Sequence, residues 1–430
     1  MDATNDPAAL VALLVELAEQ GRWQDIEALF APRLRAVVSA DTVRTGWAAE
    51  AARLGEVTGL GIARTEPIAD GLTRLSVPVT FQRGELTIVI ATAGDGLLHG
   101  LRLAPAGGWA APSYASPKRF AEHEIVVGDG PLAVSGTLTM PRGRGRFPAA
   151  ILLSGGGPFD RDGTAGPLKP LKDLAWGLAS RGVASVRFDK PTAVHAGALA
   201  QLPQFTATDE YLPYARDAFR QLRQHPQIST ERIHLVGHSM GGKLAPRIAA
   251  AETGIAGLVL LAADASPIQR SAVRVAHYLA DLGLVPADMV ANVQRQAANV
   301  EGPDLSPATP AEDLPLGYTG AYLLDLRGYD PADTAKNLAK PMFILQGGRD
   351  YQVTVADDLA LWRAAVGDRP DVTIRVYDAD NHMFTTGTGP STPAEYSTPA
   401  NIDPAVIEDI VRWLNPTTPH IRRLFRRNRS

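Results

Sequence analysis

The chain has 430 residues, a formal net charge of −4, and 45% hydrophobic against 20% charged residues, a composition typical of globular proteins long enough for two domains. Cysteine is absent, which excludes disulfides, thiolate zinc sites and cysteine catalysis, and the weak negative charge argues against nucleic acid as the main partner. Acidic residues stand where a signal peptide has basic ones, and no apolar run reaches the roughly 18 residues that span a bilayer, so we expect a cytoplasmic protein without a membrane span.

Residues 1–115 are predicted to form a small α+β domain. The periodicity predicts helices at 10–17, 26–30 and 42–54 and alternating strands at 73–79 and 85–90. Helices followed by a curved antiparallel sheet resemble the cone-shaped sheet of nuclear-transport-factor-like domains. A segment rich in Pro, Gly and Ser at 104–117 is interpreted as the linker to the next domain.

Residues 116–417 are predicted to form an α/β domain, because a hairpin near 124–138 is followed by alternating strands and helices. The predicted strands are 149–154, 184–188, 233–236, 257–261, 342–345 and 373–376. The predicted helices are 168–180, 210–223, 242–251, 355–365 and 405–414. Together they indicate a mostly parallel, roughly eight-stranded sheet with helices on both faces. The insertion at 266–340 is too long for a simple crossover and is predicted to be a helical cap, and residues 418–430 form a basic tail.

The segment from Gly237 to Gly241 lies between an apolar strand and a run of helix-forming residues. Its central residue is Ser239, with a glycine two positions to either side. This is the pattern of a nucleophile elbow, in which the turn from strand to helix is so sharp that only small residues fit around the serine. Ser239 is therefore the predicted nucleophile, and His238 is expected to pack at the end of the strand.

A serine hydroxyl needs a neighbouring base to take its proton, and the base needs an acid to fix its tautomer. In this arrangement the chain order is serine, acid, histidine. His382 follows the last predicted strand and is the predicted base. Asp350, which follows the preceding strand and a glycine turn, is the predicted acid, with Asp378 and Asp380 on the histidine's own loop as alternatives.

The tetrahedral intermediate of acyl transfer needs two backbone N–H donors held in place before its negative charge develops. One is expected from Met240, directly after the nucleophile. The other is expected from the glycine loop at 154–158, where Gly156 is assigned and Gly157 is the alternative. Gly157 and Tyr351 are also candidates for substrate contact, with half-buried packing as the alternative for the tyrosine.

These motifs resemble the bacterial serine esterases of the α/β-hydrolase superfamily, in a branch with an added N-terminal domain. The resemblance covers roughly residues 120 to 415 and is carried by the segments 154–162, 187–190, 237–241, 345–354 and 381–382. It implies hydrolysis of carboxylic esters through an acyl-enzyme, with a small-molecule ester or thioester as substrate.

The resemblance implies no cofactor, and the sequence contains no zinc or nucleotide-binding motif, so no metal is expected. Three other functions stay open: an acyltransferase or cyclase with a non-water acceptor, a carbon–carbon bond hydrolase, and a non-catalytic binding protein. Whether the N-terminal domain completes the pocket, mediates homodimerisation or does neither also stays open.

Overall fold

The computed structural model describes residues 7–35, 38–67, 71–93, 95–105 and 108–415, so the basic tail predicted at 418–430 lies outside the described residues. The chain divides into two compact units. The first contains most of the residues before 111 together with 166–168 and 396–399, and the second contains the rest. Within the described ranges, no helix is both long enough and apolar enough to cross a lipid bilayer.

The first unit has helices followed by an antiparallel sheet, which confirms the α+β prediction. Its elements are α1 (Pro7–Glu19), α2 (Trp23–Ala28), α3 (Pro32–Arg35), α4 (Ala40–Leu54), β1 (Val57–Leu60), β2 (Arg64–Pro67), β3 (Thr73–Phe81), β4 (Gly84–Thr92) and β5 (Leu98–Pro105). The strand order is β1-β3-β4-β5, with β2 also paired to β3. Alternate residues of β3, such as Leu75, Val77 and Val79, are buried against the helices, because successive side chains of a strand point to opposite faces.

The second unit contains an eight-stranded sheet of order β13-β12-β11-β10-β8-β9-β7-β6. The strands are β6 (Phe120–Val127), β7 (Val134–Pro141), β8 (Phe147–Leu153), β9 (Ala184–Phe188), β10 (Ile228–His238), β11 (Leu258–Leu261), β12 (Met342–Gly347) and β13 (Val372–Tyr377). In this order, the neighbouring strands from β13 through β8 to β9 are all parallel. Strand β7 is antiparallel to both of its neighbours, β9 and β6. The predicted mostly parallel sheet is confirmed.

Helices cover both faces of this sheet, as predicted. The helices of the second unit are α5 (Pro170–Ala179), α6 (Pro191–Val194), α7 (Ala196–Leu199), α8 (Ala207–Gln224), α9 (Met240–Ala251), α10 (Ile268–Asp281), α11 (Ala287–Glu301), α12 (Gly320–Arg327), α13 (Pro331–Lys336), α14 (Ala360–Val366) and α15 (Pro404–Leu414). One face packs against α8, α9 and α14, with Leu244 and Trp362 in its core, and the other against α5 and α15, with Leu174 and Ile407.

Two insertions connect strands of the sheet. The first contains α6 and α7 and lies between β9 and α8. The second contains α10 to α13 and lies between β11 and β12, where α10 packs on α11 while α13 packs on α9 and α14 of the sheet layer. Because β8, β10 and β12 are parallel, the loops that follow them meet at one edge of the sheet. The predicted functional residues are carried by these loops and by the loop after β13.

Candidate active site

Ser239 alone makes the turn between β10 and α9, with φ 54° and ψ −123°. Such a backbone conformation is unfavourable for a residue with a side chain, by about 1–3 kcal/mol. The flanking glycines are required by crowding: a Cβ on Gly237 would lie 2.4 Å from the carbonyl oxygen of Gly241, and one on Gly241 would lie 2.5 Å from that of Leu153. The serine side chain is therefore presented in a fixed direction, and it lines a cavity of about 660 Å³.

His382 and Asp350 lie together beside Ser239. The Nδ1 atom of the histidine is 2.7 Å from the Oδ2 atom of Asp350, and both side chains are buried. His382 lines the same cavity as Ser239, and Asp350 contacts the Nδ1 atom of this histidine. Of the two alternative acids, Asp378 is exposed, and Asp380 is buried with its Oδ1 atom 3.2 Å from the hydroxyl of Thr386.

The carboxylate of Asp350 is held by four donors. Its Oδ1 atom accepts the backbone N–H groups of Gln352 at 2.8 Å and Val353 at 2.9 Å. Its Oδ2 atom accepts from His382 and, at 3.1 Å, from the side-chain amide of Gln346. That amide also donates to the Val353 carbonyl at 2.7 Å, which fixes which of its atoms faces the acid. The three donors other than His382 therefore orient the carboxylate independently of the histidine.

His238 fixes the loop that carries the base. Its Nε2 atom donates to the backbone carbonyl of His382 at 2.9 Å, and the two rings lie 4.8 Å apart. Burial lowers the pKa of His238 to about 3, with the nearby His382 acting in the same direction, so the ring is neutral. On the same loop, the side-chain oxygen of Asn381 accepts the backbone N–H groups of Met383 and Thr385. The histidine that was expected only to pack also positions the base.

The glycine loop after β8 lines the cavity together with Met240, and a Cβ atom on its Gly155 would lie 3.2 Å from the Cβ atom of Ser239. Met240 is the first residue of α9, so its N–H lies at the positive end of the helix dipole. The carbonyl of Gly155 is bound inside the protein by the ammonium group of Lys190 at 3.0 Å and the hydroxyl of Tyr211 at 2.9 Å. In a trans peptide the N–H points opposite to the carbonyl, so the N–H of Gly156 is directed away from these groups.

A buried polar network holds this loop. Lys190 and Glu210 are each 2% exposed and form an ion pair of 3.0 Å. Glu210 also accepts from the hydroxyl of Tyr322 at 2.7 Å and from that of Thr192. Burial lowers the pKa of Lys190, and the carboxylate of Glu210 acts in the opposite direction. Sequence reasoning did not identify this network, although Glu210, a charged residue among the apolar positions of α8, was a visible signal.

The cavity walls come largely from the two insertions. Apolar side chains dominate them, among them Ala196, Leu199, Leu202, Phe205, Ile268 and Leu316. Gly157 also lines the cavity. Tyr351 is buried and its ring stacks on that of Tyr278, with 5.0 Å between the centroids, while its neighbour Gln352 lines the cavity. Substrate contact by Tyr351 stays a prediction.

No cluster of three or more histidine, aspartate or glutamate side chains suited to a metal ion occurs in the part of the chain that the structure describes.

Comparisons with known proteins show which family the chain is similar to. The profile of the alpha/beta hydrolase family matches residues 150–397, more than half of the chain. The esterase EstD of Thermotoga maritima is 35% identical over 336 residues, which cover 78% of this chain and 77% of that protein.

Two solved structures with similarity to the chain have TM-scores below 0.5. Est1E of Butyrivibrio proteoclasticus is 17% identical with a TM-score of 0.44, covering 68% of this chain and 97% of the other. A 2,6-dihydroxy-pseudo-oxynicotine hydrolase is 18% identical with a TM-score of 0.42, covering 69% and 67%.

Proposed function

Since this chain belongs to the alpha/beta hydrolase family, we propose that it is a serine esterase in which Ser239 is the nucleophile, His382 the base and Asp350 the acid. The observation that carries the proposal is the 2.7 Å contact between the buried His382 and Asp350 side chains, since His382 lines the same cavity as the serine of the elbow. The 35% identity to an esterase over most of the chain supports carboxylic esters as the substrate class.

In the proposed reaction, Ser239 attacks the ester carbonyl while the Nε2 atom of His382 takes the hydroxyl proton. The negative charge on the carbonyl oxygen is stabilised by the N–H groups of Met240 and Gly156. The intermediate collapses, the alcohol leaves with the proton from His382, and the acyl group stays on Ser239. Water, deprotonated by His382, then attacks the acyl-enzyme and releases the carboxylic acid.

The cavity supports a small-molecule ester or thioester as substrate. Its volume of about 660 Å³ lies within the range of small-molecule sites, and its walls are mainly apolar. Leu199 and Leu202 from the first insertion and Ile268 and Leu316 from the second belong to these walls. The acyl or alcohol part of the substrate is therefore expected to be apolar, and the proposed reaction uses no metal or cofactor.

The apolar walls also favour a second candidate, transfer of the acyl group to an alcohol or amine instead of water, including cyclisation within one substrate. Both reactions pass through the same acyl-enzyme on Ser239. They differ in the acceptor, so product analysis with and without added alcohol or amine separates them.

The test is hydrolysis of p-nitrophenyl esters of graded acyl length by the wild-type protein, Ser239→Ala and a matched control, Ser229→Ala, whose serine lies outside the cavity. We expect turnover to disappear only in Ser239→Ala, and the length optimum to report the size of the acyl site. Unchanged turnover in Ser239→Ala would refute the proposal. Labelling of Ser239 by a fluorophosphonate without ester turnover would favour the transfer reaction.

A further inference from the structure

The hydroxyl of Tyr318 lies against the glycine loop, and the reaction described above does not use it. Tyr318 precedes α12 in the second insertion and lines the cavity with Ser239. The backbone N–H of Gly157 acts on the same phenol and opposes the rise in the pKa of Tyr318 that burial causes. A Cβ atom added to Gly156 would lie 2.5 Å from the phenol oxygen. The phenol thus lies next to the amide that is proposed to bind the substrate oxyanion.

The ring of Tyr318 has a fixed position. It stacks on the ring of Tyr322 with 4.6 Å between the centroids and 4° between the planes. The hydroxyl of Tyr322 donates to Glu210 at 2.7 Å, and Glu210 pairs with Lys190, which binds the glycine loop. The tyrosine and the glycine loop are therefore held by one network. A stacked ring in this setting keeps its oxygen in place and leaves the hydroxyl hydrogen free to rotate.

The chemistry of the hydroxyl suits donation to a negative oxygen. A phenol O–H has a proton to donate to an anionic oxygen, and its own oxygen can at the same time accept from an amide. Burial raises the pKa of Tyr318, and the carboxylates of Glu210 and Asp264 raise it further. The hydroxyl therefore keeps its proton at the pH at which His382 acts as a base.

We infer that Tyr318 is a further catalytic residue, which donates its phenol O–H to the oxyanion beside the N–H groups of Met240 and Gly156. In this arrangement the N–H of Gly157 interacts with the phenol, which favours Gly156 over Gly157 as the second backbone donor. The inference rests on the proposed function, because it needs an oxyanion that forms when Ser239 attacks.

The test is the variant Tyr318→Phe, which removes one oxygen and keeps the ring that stacks on Tyr322. Loss of one preorganised oxyanion donor typically lowers kcat by about 10²–10³-fold, and we expect a loss of this order with little change in KM. The matched control is Tyr329→Phe, in the same insertion. The hydroxyl of Tyr329 donates to the backbone carbonyl of Lys243 at 2.9 Å and does not line the cavity, so kcat is expected to stay unchanged.

A second readout separates a catalytic from a structural role. A trifluoromethyl ketone forms a tetrahedral adduct with the nucleophilic serine, and its oxyanion uses the same donors as the reaction. For Tyr318→Phe we expect the inhibition constant of this ketone to rise by the factor by which kcat/KM falls. A purely structural effect of Tyr318→Phe would lower the melting temperature. It would leave the affinity for the ketone, relative to the affinity for the substrate, unchanged.

Two results would overturn the inference about Tyr318 and leave the proposed esterase function standing. In an active wild-type background, an unchanged kcat in Tyr318→Phe would show that the phenol does not contact the oxyanion. A raised kcat would show instead that the phenol occupies the position of the substrate carbonyl oxygen. A wild-type protein that hydrolyses no ester and whose Ser239 is not labelled by a fluorophosphonate would refute the proposed function, and the inference with it.

Discussion

Replacing Asp350 with asparagine is expected to lower kcat by about 10⁴-fold, because it reverses the tautomer of His382. The Oδ1 atom of Asp350 accepts the backbone N–H groups of Gln352 and Val353, so an oxygen atom has to remain at that position. The NH₂ group of the new asparagine then takes the place of Oδ2, opposite Nδ1 of His382. Facing a donor, Nδ1 becomes the acceptor and the proton moves to Nε2, where it blocks uptake of the serine proton.

The expected loss of rate can be expressed as a free energy. A 10⁴-fold loss corresponds to about 5.5 kcal/mol of transition-state stabilisation, at 1.36 kcal/mol for each tenfold change. The fold should tolerate the change, since the side chains have the same shape. The new NH₂ group also faces the amide of Gln346, which now donates to Oδ2, so one hydrogen bond worth about 1 kcal/mol is lost.

The assay is kcat for a p-nitrophenyl ester together with the melting temperature, for Asp350→Asn and for the matched variant Asp378→Asn. Asp378 is exposed and lies on the loop of His382, so its replacement is expected to leave kcat unchanged. A near-normal rate in Asp350→Asn would refute the tautomer argument. It would return the role of the acid to Asp378 or Asp380, which single replacements would then distinguish.

Two further predictions concern buried charges. Lys190→Met leaves Glu210 without its cation and should lower the free energy of unfolding by about 3–5 kcal/mol. Adding Glu210→Gln should recover much of that stability but not kcat, because the carbonyl of Gly155 keeps only the Tyr211 hydroxyl and still lacks the ammonium donor. Urea unfolding and ester turnover measure the two effects, and recovery of kcat in the double variant would contradict the proposed role of Lys190. Burial raises the pKa of Asp380 from 3.8 to about 6, so the folded protein binds this proton more tightly and the free energy of unfolding decreases as the pH rises between these values. Asp380→Asn should therefore raise the melting temperature at neutral pH and leave it nearly unchanged at about pH 4, whereas a shift independent of pH would argue against titration of this carboxyl group.

The residues of the proposed triad could be predicted because each is marked by a local pattern. Ser239 is identified by its glycines and by its place between strand and helix, and His382 and Asp350 by the strands that precede them. The contacts of His238 and Lys190 could not be found in this way. His238 binds a carbonyl 144 positions later in the chain, and Lys190 binds one 35 positions earlier. Such contacts depend on how the loops fold over the sheet edge.

Element boundaries show the same division between local and tertiary signals. The strand predicted at 233–236 is observed as Ile228–His238, because it pairs with β8 across a bulge that brings in a polar segment. The helix predicted at 355–365 begins with a π-helical turn, Val355–Leu359. In this turn the buried carboxylate of Asp358 accepts the backbone N–H groups of Ala265 and Ser266, a tertiary contact that periodicity does not show.

The separation between cavity walls and reaction centre has a consequence for how substrate range evolves. The proposed triad and backbone donors lie on loops that follow strands of the sheet or at the start of α9, whereas most of the apolar wall lies on two inserted segments. Exchange or lengthening of those segments can therefore retune selectivity while the chemistry is inherited intact. A library for directed evolution would accordingly vary the wall residues around α7 and keep Lys190 and Thr192, which belong to the network that holds the glycine loop. In the second insertion it would keep Tyr318, the one position there at which recognition and catalysis are expected to coincide.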